Sequence, residues 1–90
     1  MNDKKTAIIT GASRGIGRAT AVQLARAGYF VIINFKTNET AAQETLNMVK
    51  SEGGDGTIIP FDVADSEQTR NAVKTITEQY KNIQALINNA

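Results

Sequence analysis

The sequence contains no cysteine and no histidine among its 90 residues. Without cysteine the chain can form no disulfide, offers no thiolate nucleophile and cannot build a cysteine-containing zinc site. Without histidine it also lacks the commonest metal ligand and the commonest general base. The usual thiol and zinc chemistries are therefore excluded from this stretch of chain.

Long hydrophobic runs and an excess of one charge are absent as well. The apolar run from Phe30 to Ile33 is far shorter than the roughly 20 residues needed to span a bilayer. The residues before Thr6 lack the apolar core and the small-residue cleavage site of a secretory signal. A formal charge of +1 provides no field that would attract nucleic acid or an anionic membrane. We therefore expect a cytoplasmic protein that binds neither.

Short β-branched runs alternate with longer amphipathic stretches, which is typical of an α/β protein with helices around a parallel sheet. A hydrophobic content of 41% with 21% charged residues suits a single small domain, and no repeat, linker or second domain is visible. The apolar residues of the strands form continuous runs, as expected when helices cover both faces of the sheet. The predicted strands are Thr6 to Thr10, Phe30 to Asn34, Thr57 to Val63 and Gln84 to Asn89.

The single proline predicts the order of these strands. Pro60 lies in the third strand, where the loss of a backbone donor is tolerated mainly at a sheet edge. Right-handed crossovers that place the third strand outermost give the order 3-2-1-4. This is half of a doubly wound, Rossmann-type sheet.

Three helices are predicted between the strands. The first, Gly15 to Ala27, presents small residues on one side and can therefore lie close to the sheet. The second runs from about Asn38 to Glu52 and ends at a glycine pair. The third begins after Asp65, which is expected to form a capping box with Gln68. The expected inward-facing residues are Gly17, Ala21, Leu24, Ala25 and Gly28, then Ala42, Thr45, Leu46 and Val49, then Thr69, Ala72, Val73, Ile76 and Tyr80.

The segment TGASRGIG, residues 10 to 17, joins the first strand to the first helix and has the features of a phosphate-binding loop. Gly11 permits a turn that other residues avoid, Gly15 lets a pyrophosphate approach the backbone, and Gly17 removes a side chain that would separate helix from strand. The free N–H groups and the positive dipole end of the helix then face the phosphates. The candidate cofactor-binding residues of this loop are Gly11, Ser13, Gly15, Ile16 and Gly17.

These glycines could instead serve only a tight turn, but their position after a strand and before a helix favours nucleotide binding. The spacing T-G-x-x-x-G-x-G, followed by Asp62-Val63 and by Asn88-Asn89-Ala90, resembles the short-chain dehydrogenase/reductase family. The resemblance extends over the whole chain and is closest in character to the 3-oxoacyl-[acyl-carrier-protein] reductase and glucose dehydrogenase branches. It implies hydride transfer between a nicotinamide cofactor and a carbonyl or alcohol substrate.

The end of the second strand predicts which nicotinamide cofactor is bound. An NAD site places an acid about 20 residues past the glycines to bind the adenosine ribose, and that carboxylate repels a 2′-phosphate. The resemblance aligns this position with Phe35, just before Lys36, and places Arg14 of the glycine loop at the same ribose. Two cations and no acid predict NADP(H), with Arg14 and Lys36 on the 2′-phosphate. The alternative is that both are ordinary solvated surface charges.

The remaining candidate contacts follow the third and fourth strands and come from the resemblance. It implies that the Asp62 carboxylate accepts a hydrogen bond from the adenine amino group and that the Val63 backbone contacts the ring. Asp62 could instead cap the turn before the third helix. The fourth-strand motif is expected to bring Asn88 and Ala90 near the cofactor ribose, with Asn89 in a structural role.

No catalytic residue and no metal site is predicted within the chain. The family transfers protons with a Ser and a Tyr-x-x-x-Lys motif, and neither Tyr29 nor Tyr80 has a lysine four residues later. We therefore expect the N-terminal, cofactor-binding portion of an NADP-dependent oxidoreductase, with the catalytic half and the helices of a homo-oligomer beyond Ala90. The alternative is a stand-alone, non-catalytic nucleotide-binding module. A nucleoside triphosphatase fits worse, because Arg18-Ala19 stands where Gly-Lys-Ser or Gly-Lys-Thr would end the loop.

Overall fold

Four parallel strands form one sheet in the computed structural model, which describes residues 4–89. The strand order is β3-β2-β1-β4 and every neighbouring pair is parallel, which confirms the predicted α/β class and the order 3-2-1-4. None of the described helices is long and apolar enough to cross a bilayer. The candidate contact Ala90 lies outside the described residues. The elements are β1 (Thr6–Ile9), α1 (Gly15–Arg26), β2 (Phe30–Phe35), α2 (Glu39–Ser51), β3 (Asp55–Pro60), α3 (Ser66–Gln79) and β4 (Ile83–Ile87).

Alternating side chains of the central strands build a core on each face of the sheet, because successive residues of a strand point to opposite sides. The larger core lies under α1 and α2, and the smaller core lies under α3. In the smaller core, Ile8 and Ile32 pack with Ile76, and the ring of Tyr80 stacks on that of Phe30 at 5.1 Å. The larger core includes Ala7, Ile9, Val31 and Ile33 from the strands and Ala21, Ala25, Ala42, Leu46 and Val49 from the helices.

The inward face of α1 is made of small residues, as predicted. Gly17, Ala21 and Ala25 are buried, together with Val22. The prediction was wrong for Gly28, which is exposed and lies beyond the end of the helix with a φ of 96°. Its N–H donates to the Ala25 carbonyl at 3.0 Å. This glycine therefore supplies the left-handed backbone that ends the helix and not a packing surface.

Three strands end earlier than the sequence pattern predicts: β1 ends at Ile9, β3 at Pro60 and β4 at Ile87. Pro60 is the last residue of the edge strand β3, so its edge position is confirmed, but Asp62 and Val63 lie in the turn beyond it. Asn88 and Asn89 likewise follow β4. After β3, Phe61 and Val63 continue the apolar pattern past the end of the strand, because apolar residues can line a turn as well as a strand.

The α3 side of the sheet is less completely covered than predicted. Every residue of β1 is buried, whereas in β4 half-buried and exposed residues alternate and Leu86 is 63% exposed. Ile76 is the one fully buried residue of α3, and Val73, predicted to face inward, is 36% exposed. An apolar surface thus remains around the edge strand β4.

Side-chain caps begin two of the three helices. Asn38 caps α2, and Asp65 caps α3 by accepting the N–H groups of Glu67 and Gln68 at 3.0 and 3.1 Å. The expected capping box is only half present. The Gln68 amide oxygen accepts the N–H of Asp62 at 3.0 Å, because the Asp65 N–H is already bonded to the Asp62 carbonyl.

Candidate nucleotide-binding site

The carboxyl ends of the four parallel strands meet at one edge of the sheet, where open α/β sheets bind their ligands. The glycine loop follows β1 and Lys36 follows β2, while Asp62 and Val63 follow β3 and Asn88 follows β4. The fold therefore gathers at this edge all the predicted site residues that lie within residues 4–89.

The three glycines of the loop are required for two reasons, backbone conformation at Gly11 and Gly15 and close packing at Gly17. Gly11 and Gly15 have φ angles of 62° and 64°, in the left-handed region that favours glycine. A Cβ atom on Gly17 would overlap the Gly11 carbonyl oxygen and lie 2.9 Å from the Ala12 Cα. A Cβ on Gly15 would meet nothing within 4 Å, so the space beside Gly15 is open to a ligand.

The N-terminus of α1 keeps its backbone donors free. Its N-cap residue, Arg14, makes no side-chain cap hydrogen bond, and the first turn contains no acidic residue. Within residues 4–89 the N–H groups of Ser13 and Arg14 donate no hydrogen bond either. These donors and the positive end of the helix dipole together suit an anion such as a phosphate.

A buried hydroxyl and a guanidinium hold the outer side of the loop, and sequence reasoning missed both as site residues. The Thr45 hydroxyl lies 2.9 Å from the Ala12 carbonyl oxygen and accepts the Arg18 Nε at 2.9 Å. The Arg18 Nη2 donates to the Ser13 carbonyl at 2.6 Å. The available signal was a threonine, Thr45, on the otherwise apolar stripe of α2.

A buried amide ties the loop to the end of β3. Asn34 is 3% exposed; its Oδ1 accepts the Gly11 N–H at 3.2 Å and its Nδ2 donates to the Phe61 carbonyl at 2.9 Å. These partners determine the orientation of the amide, because one is a donor and the other an acceptor. The sequence contained a signal for it, since Asn34 is the only amide in the apolar run of β2.

Arg14 and Lys36 line the same cleft, together with Ser13, Thr37 and Asn38. No carboxylate is among these lining residues. The Lys36 side chain is 70% exposed, and its Nζ lies 3.6 Å from Asp62 Oδ2. An exposed ion pair of this kind contributes about 0–1 kcal/mol, so Lys36 can exchange this partner for another anion.

Asp62 holds the turn between β3 and α3, which is the alternative that the sequence left open. Its Oδ1 accepts the Ala64 N–H at 2.9 Å, and its backbone carbonyl accepts the Asp65 N–H at 2.9 Å. Neither of these turn hydrogen bonds involves Asp62 Oδ2, which is paired with Lys36. The neighbouring Val63 is 37% exposed and lines an apolar groove that also includes Val73 and Leu86.

The residues after β4 are tied to the glycine loop through one hydroxyl. Thr10 Oγ1 accepts the Asn89 N–H at 2.9 Å and donates to Asn88 Oδ1 at 3.1 Å. Asn89 Nδ2 in turn donates to the Gly11 carbonyl at 3.4 Å. These bonds agree with the structural role predicted for Asn89, and they place exposed Asn88 beside the loop.

The sequence is similar to known proteins along almost its whole length. The profile of the family described as short chain dehydrogenase matches residues 5–90. The chain is 38% identical over 90 residues to the 3-oxoacyl-[acyl-carrier-protein] reductase FabG of Staphylococcus aureus strain Mu50, covering 100% of this chain and 37% of that protein. It is 42% identical over 84 residues to the uncharacterised oxidoreductase YgfF of Escherichia coli strain K12, covering 93% of this chain and 34% of that protein.

Solved structures show the same fold with the same partial coverage. The crystal structure of a metagenomic short-chain oxidoreductase in complex with NADP matches with a TM-score of 0.90 at 27% identity, covering 96% of this chain and 38% of that one. The chain thus spans little more than a third of the length of the proteins that it matches.

Proposed function

Because the chain belongs to the short-chain dehydrogenase family, we propose that it is the cofactor-binding portion of an NADP(H)-dependent oxidoreductase. When bound, the nicotinamide cofactor supplies or accepts the hydride. Relatives such as the Staphylococcus aureus reductase are much longer than this chain, which covers 37% of that protein. We place the proton-transfer residues and the substrate site in the remaining part of the parent protein.

The glycine loop is proposed to bind the cofactor pyrophosphate. Two features support this assignment: the uncapped N-terminus of α1 and the open space beside Gly15. The backbone donors of Ser13 and Arg14, with those of Ile16 and Gly17 in the first helical turn, are expected to hold the phosphate oxygens.

The observation that carries the preference for NADP(H) is the cleft shared by Arg14 and Lys36. A 2′-phosphate there would receive charge-assisted hydrogen bonds of about 1.5–3 kcal/mol each. That exceeds the value of the exposed Lys36 pair with Asp62. The lysine is therefore expected to leave the aspartate when the phosphate binds.

Release of Lys36 reconciles the two roles proposed for Asp62. Its Oδ1 remains on the Ala64 N–H, so the turn keeps its shape, while Oδ2 becomes available to the adenine amino group. Val63 and Asn88 are proposed to contact the adenine and the ribose from the ends of the neighbouring strands. The groove that Val63 lines is apolar enough to receive a planar ring.

The proposed reaction is reduction of a carbonyl group or the reverse oxidation of an alcohol. A 3-oxoacyl group carried by acyl carrier protein is the first substrate to test, because a reductase with that name is 38% identical to the chain. Oxidation of NADPH on addition of this substrate to the full-length protein is the expected result. The sequence beyond residue 90 should contain a Ser and a Tyr-x-x-x-Lys motif, and their absence would contradict an oxidoreductase parent.

Cofactor preference is tested by measuring dissociation constants of NADPH and NADH for the full-length protein. Arg14→Ala and Lys36→Ala should each weaken NADPH binding by roughly 10- to 150-fold, which corresponds to one charge-assisted contact, and leave NADH unchanged. Arg26→Ala and Lys50→Ala are matched controls, because these exposed cations lie near the opposite ends of α1 and α2. An unchanged NADPH preference in both site variants, or a parent protein that prefers NADH, would show the assignment to be wrong.

A further inference from the structure

We infer that Thr45 and Arg18 are positioning residues, which hold two carbonyl groups of the glycine loop toward α2 and thereby direct the following N–H groups at the cofactor pyrophosphate. The inference rests on the proposed function, since it assumes that the loop binds this pyrophosphate. Neither side chain is expected to touch the cofactor itself.

Thr45 reaches the loop from the buried face of α2. Its side chain is fully buried, and its hydroxyl oxygen lies 2.9 Å from the Ala12 carbonyl oxygen and 3.2 Å from that of Ser13. The hydroxyl has one proton, and its shortest available acceptor is the Ala12 carbonyl. A helix threonine often bonds to the carbonyl four residues earlier, but here the Ala41 carbonyl is farther away at 3.3 Å.

Arg18 reaches the same place from α1 and links the loop to both helices. Its Nε donates to the Thr45 hydroxyl at 2.9 Å, and its Nη2 lies 2.6 Å from the Ser13 carbonyl and 2.9 Å from that of Ala41. Glu44 balances the charge at 3.3 Å. The Arg18 side chain is 24% exposed. Its hydrogen bonds are therefore stronger than those of a fully solvated arginine.

Because the peptide group is planar, the direction of each of these carbonyls fixes the direction of the N–H group of the next residue. In a trans peptide the C=O of one residue and the N–H of the next point to opposite sides. Holding the carbonyls of Ala12 and Ser13 toward α2 therefore turns the N–H groups of Ser13 and Arg14 away from it. Neither N–H donates a hydrogen bond within the described part of the chain, which leaves both for a ligand.

The experiment compares two ligands on the full-length protein. NADPH contains the pyrophosphate, whereas adenosine 2′-monophosphate contains the adenine, the ribose and the 2′-phosphate without it. Thr45→Val and Arg18→Met should weaken NADPH binding roughly tenfold, the value of about one hydrogen bond, and leave adenosine 2′-monophosphate unchanged. Thr45→Ser, which keeps the hydroxyl, should restore NADPH binding.

Matched controls exist on α3 and α1. Thr75→Val removes an exposed hydroxyl that bonds to the Asn71 carbonyl four residues earlier at 3.1 Å. Arg26→Met removes the other arginine of α1 that pairs with a glutamate, Glu52, at 3.0 Å. Both controls should bind NADPH like the parent protein.

The outcomes separate this inference from the proposed function. A parent protein that binds neither ligand contradicts the proposed function. If Thr45→Val and Arg18→Met lose equal affinity for both ligands, the two side chains have a merely structural role. If the NADPH affinity of both variants is unchanged, they have no role in binding. Either result overturns the inference while leaving the proposed function intact. If Thr45→Val does not fold, Arg18→Met carries the same comparison, because Thr45 then keeps its bond to the loop.

Discussion

Replacement of Gly17 by alanine tests most directly how closely α1 approaches the glycine loop. The added Cβ would overlap the Gly11 carbonyl oxygen and lie 2.9 Å from the Ala12 Cα and 2.7 Å from the Asn89 amide nitrogen. Two of these neighbours are backbone, which cannot rotate away as the end of a side chain can. The loop must therefore move outward if the helix stays in place.

The expected magnitude follows from two opposing effects. Alanine is favoured over glycine inside a helix by up to about 1 kcal/mol. Insertion of an extra carbon into a packed site costs about 1–3 kcal/mol, and a contact with backbone belongs at the upper end of that range. We therefore expect Gly17→Ala to lower the free energy of unfolding by about 2 kcal/mol. Displacement of the phosphate-binding N–H groups should also weaken NADPH binding by roughly tenfold or more.

Gly28→Ala is the control, because it imposes backbone strain without a clash. Gly28 has a φ of 96°, but a Cβ there meets nothing within 4 Å. Its alanine variant should lose about 1–2 kcal/mol of stability and keep the parent affinity for NADPH. Urea unfolding and calorimetric titration of the full-length proteins measure both quantities. A Gly17→Ala variant with parent-like stability and NADPH affinity would refute the proposed close packing of helix and loop.

Three further substitutions test interactions elsewhere in the fold. Asn34→Leu should destabilise the protein by about 2 kcal/mol in urea, because it leaves the part-buried Gly11 N–H and the buried Phe61 carbonyl without partners; parent-like stability would contradict the bridging role of this amide. Asp65→Ala should cost about 1 kcal/mol through loss of the α3 cap, and an unchanged urea midpoint would rule that cap out as a contributor. Arg26→Met should raise the pKa of Glu52 in an NMR titration, since the hydrogen bond and the charge of Arg26 lower it. The folded-state pKa of Glu52 lies below its unfolded value, so the stabilisation by this pair is present above the unfolded pKa and is lost as the pH falls through the folded one. If the free energy of unfolding of the variant falls with decreasing pH as it does in the parent protein, this linkage is contradicted.

Features that depend on a few neighbouring residues were predictable from the sequence. The spacing of Gly11, Gly15 and Gly17 indicated a tight loop between a strand and a helix, and the structure has it. Pro60 indicated an edge strand because a residue without an N–H cannot serve a central ladder. Asp65 indicated a helix start because its carboxylate accepts N–H groups two and three residues later. Each of these conclusions follows from local backbone chemistry.

The contacts that shape the candidate site could not be predicted in this way, because they join residues far apart in the chain. Arg18 and Thr45 are 27 positions apart, and Thr10 and Asn89 are 79 apart. No local rule distinguishes a threonine that packs in the core from one whose buried hydroxyl holds a loop carbonyl. The same limit applies to Lys36, whose ion pair with Asp62 depends on where two strands end.

The sequence by itself therefore determined the α/β class, the strand order, the position of the phosphate loop and the family, since alternating apolar patterns and glycine spacing express these locally. The tertiary structure alone decided which groups hold the loop in shape and which charges share a cleft. The reason is physical: hydrogen bonds and ion pairs form only between groups within a few ångströms, and packing of α1 and α2 against the sheet brings Ala12, Arg18 and Thr45 to that distance.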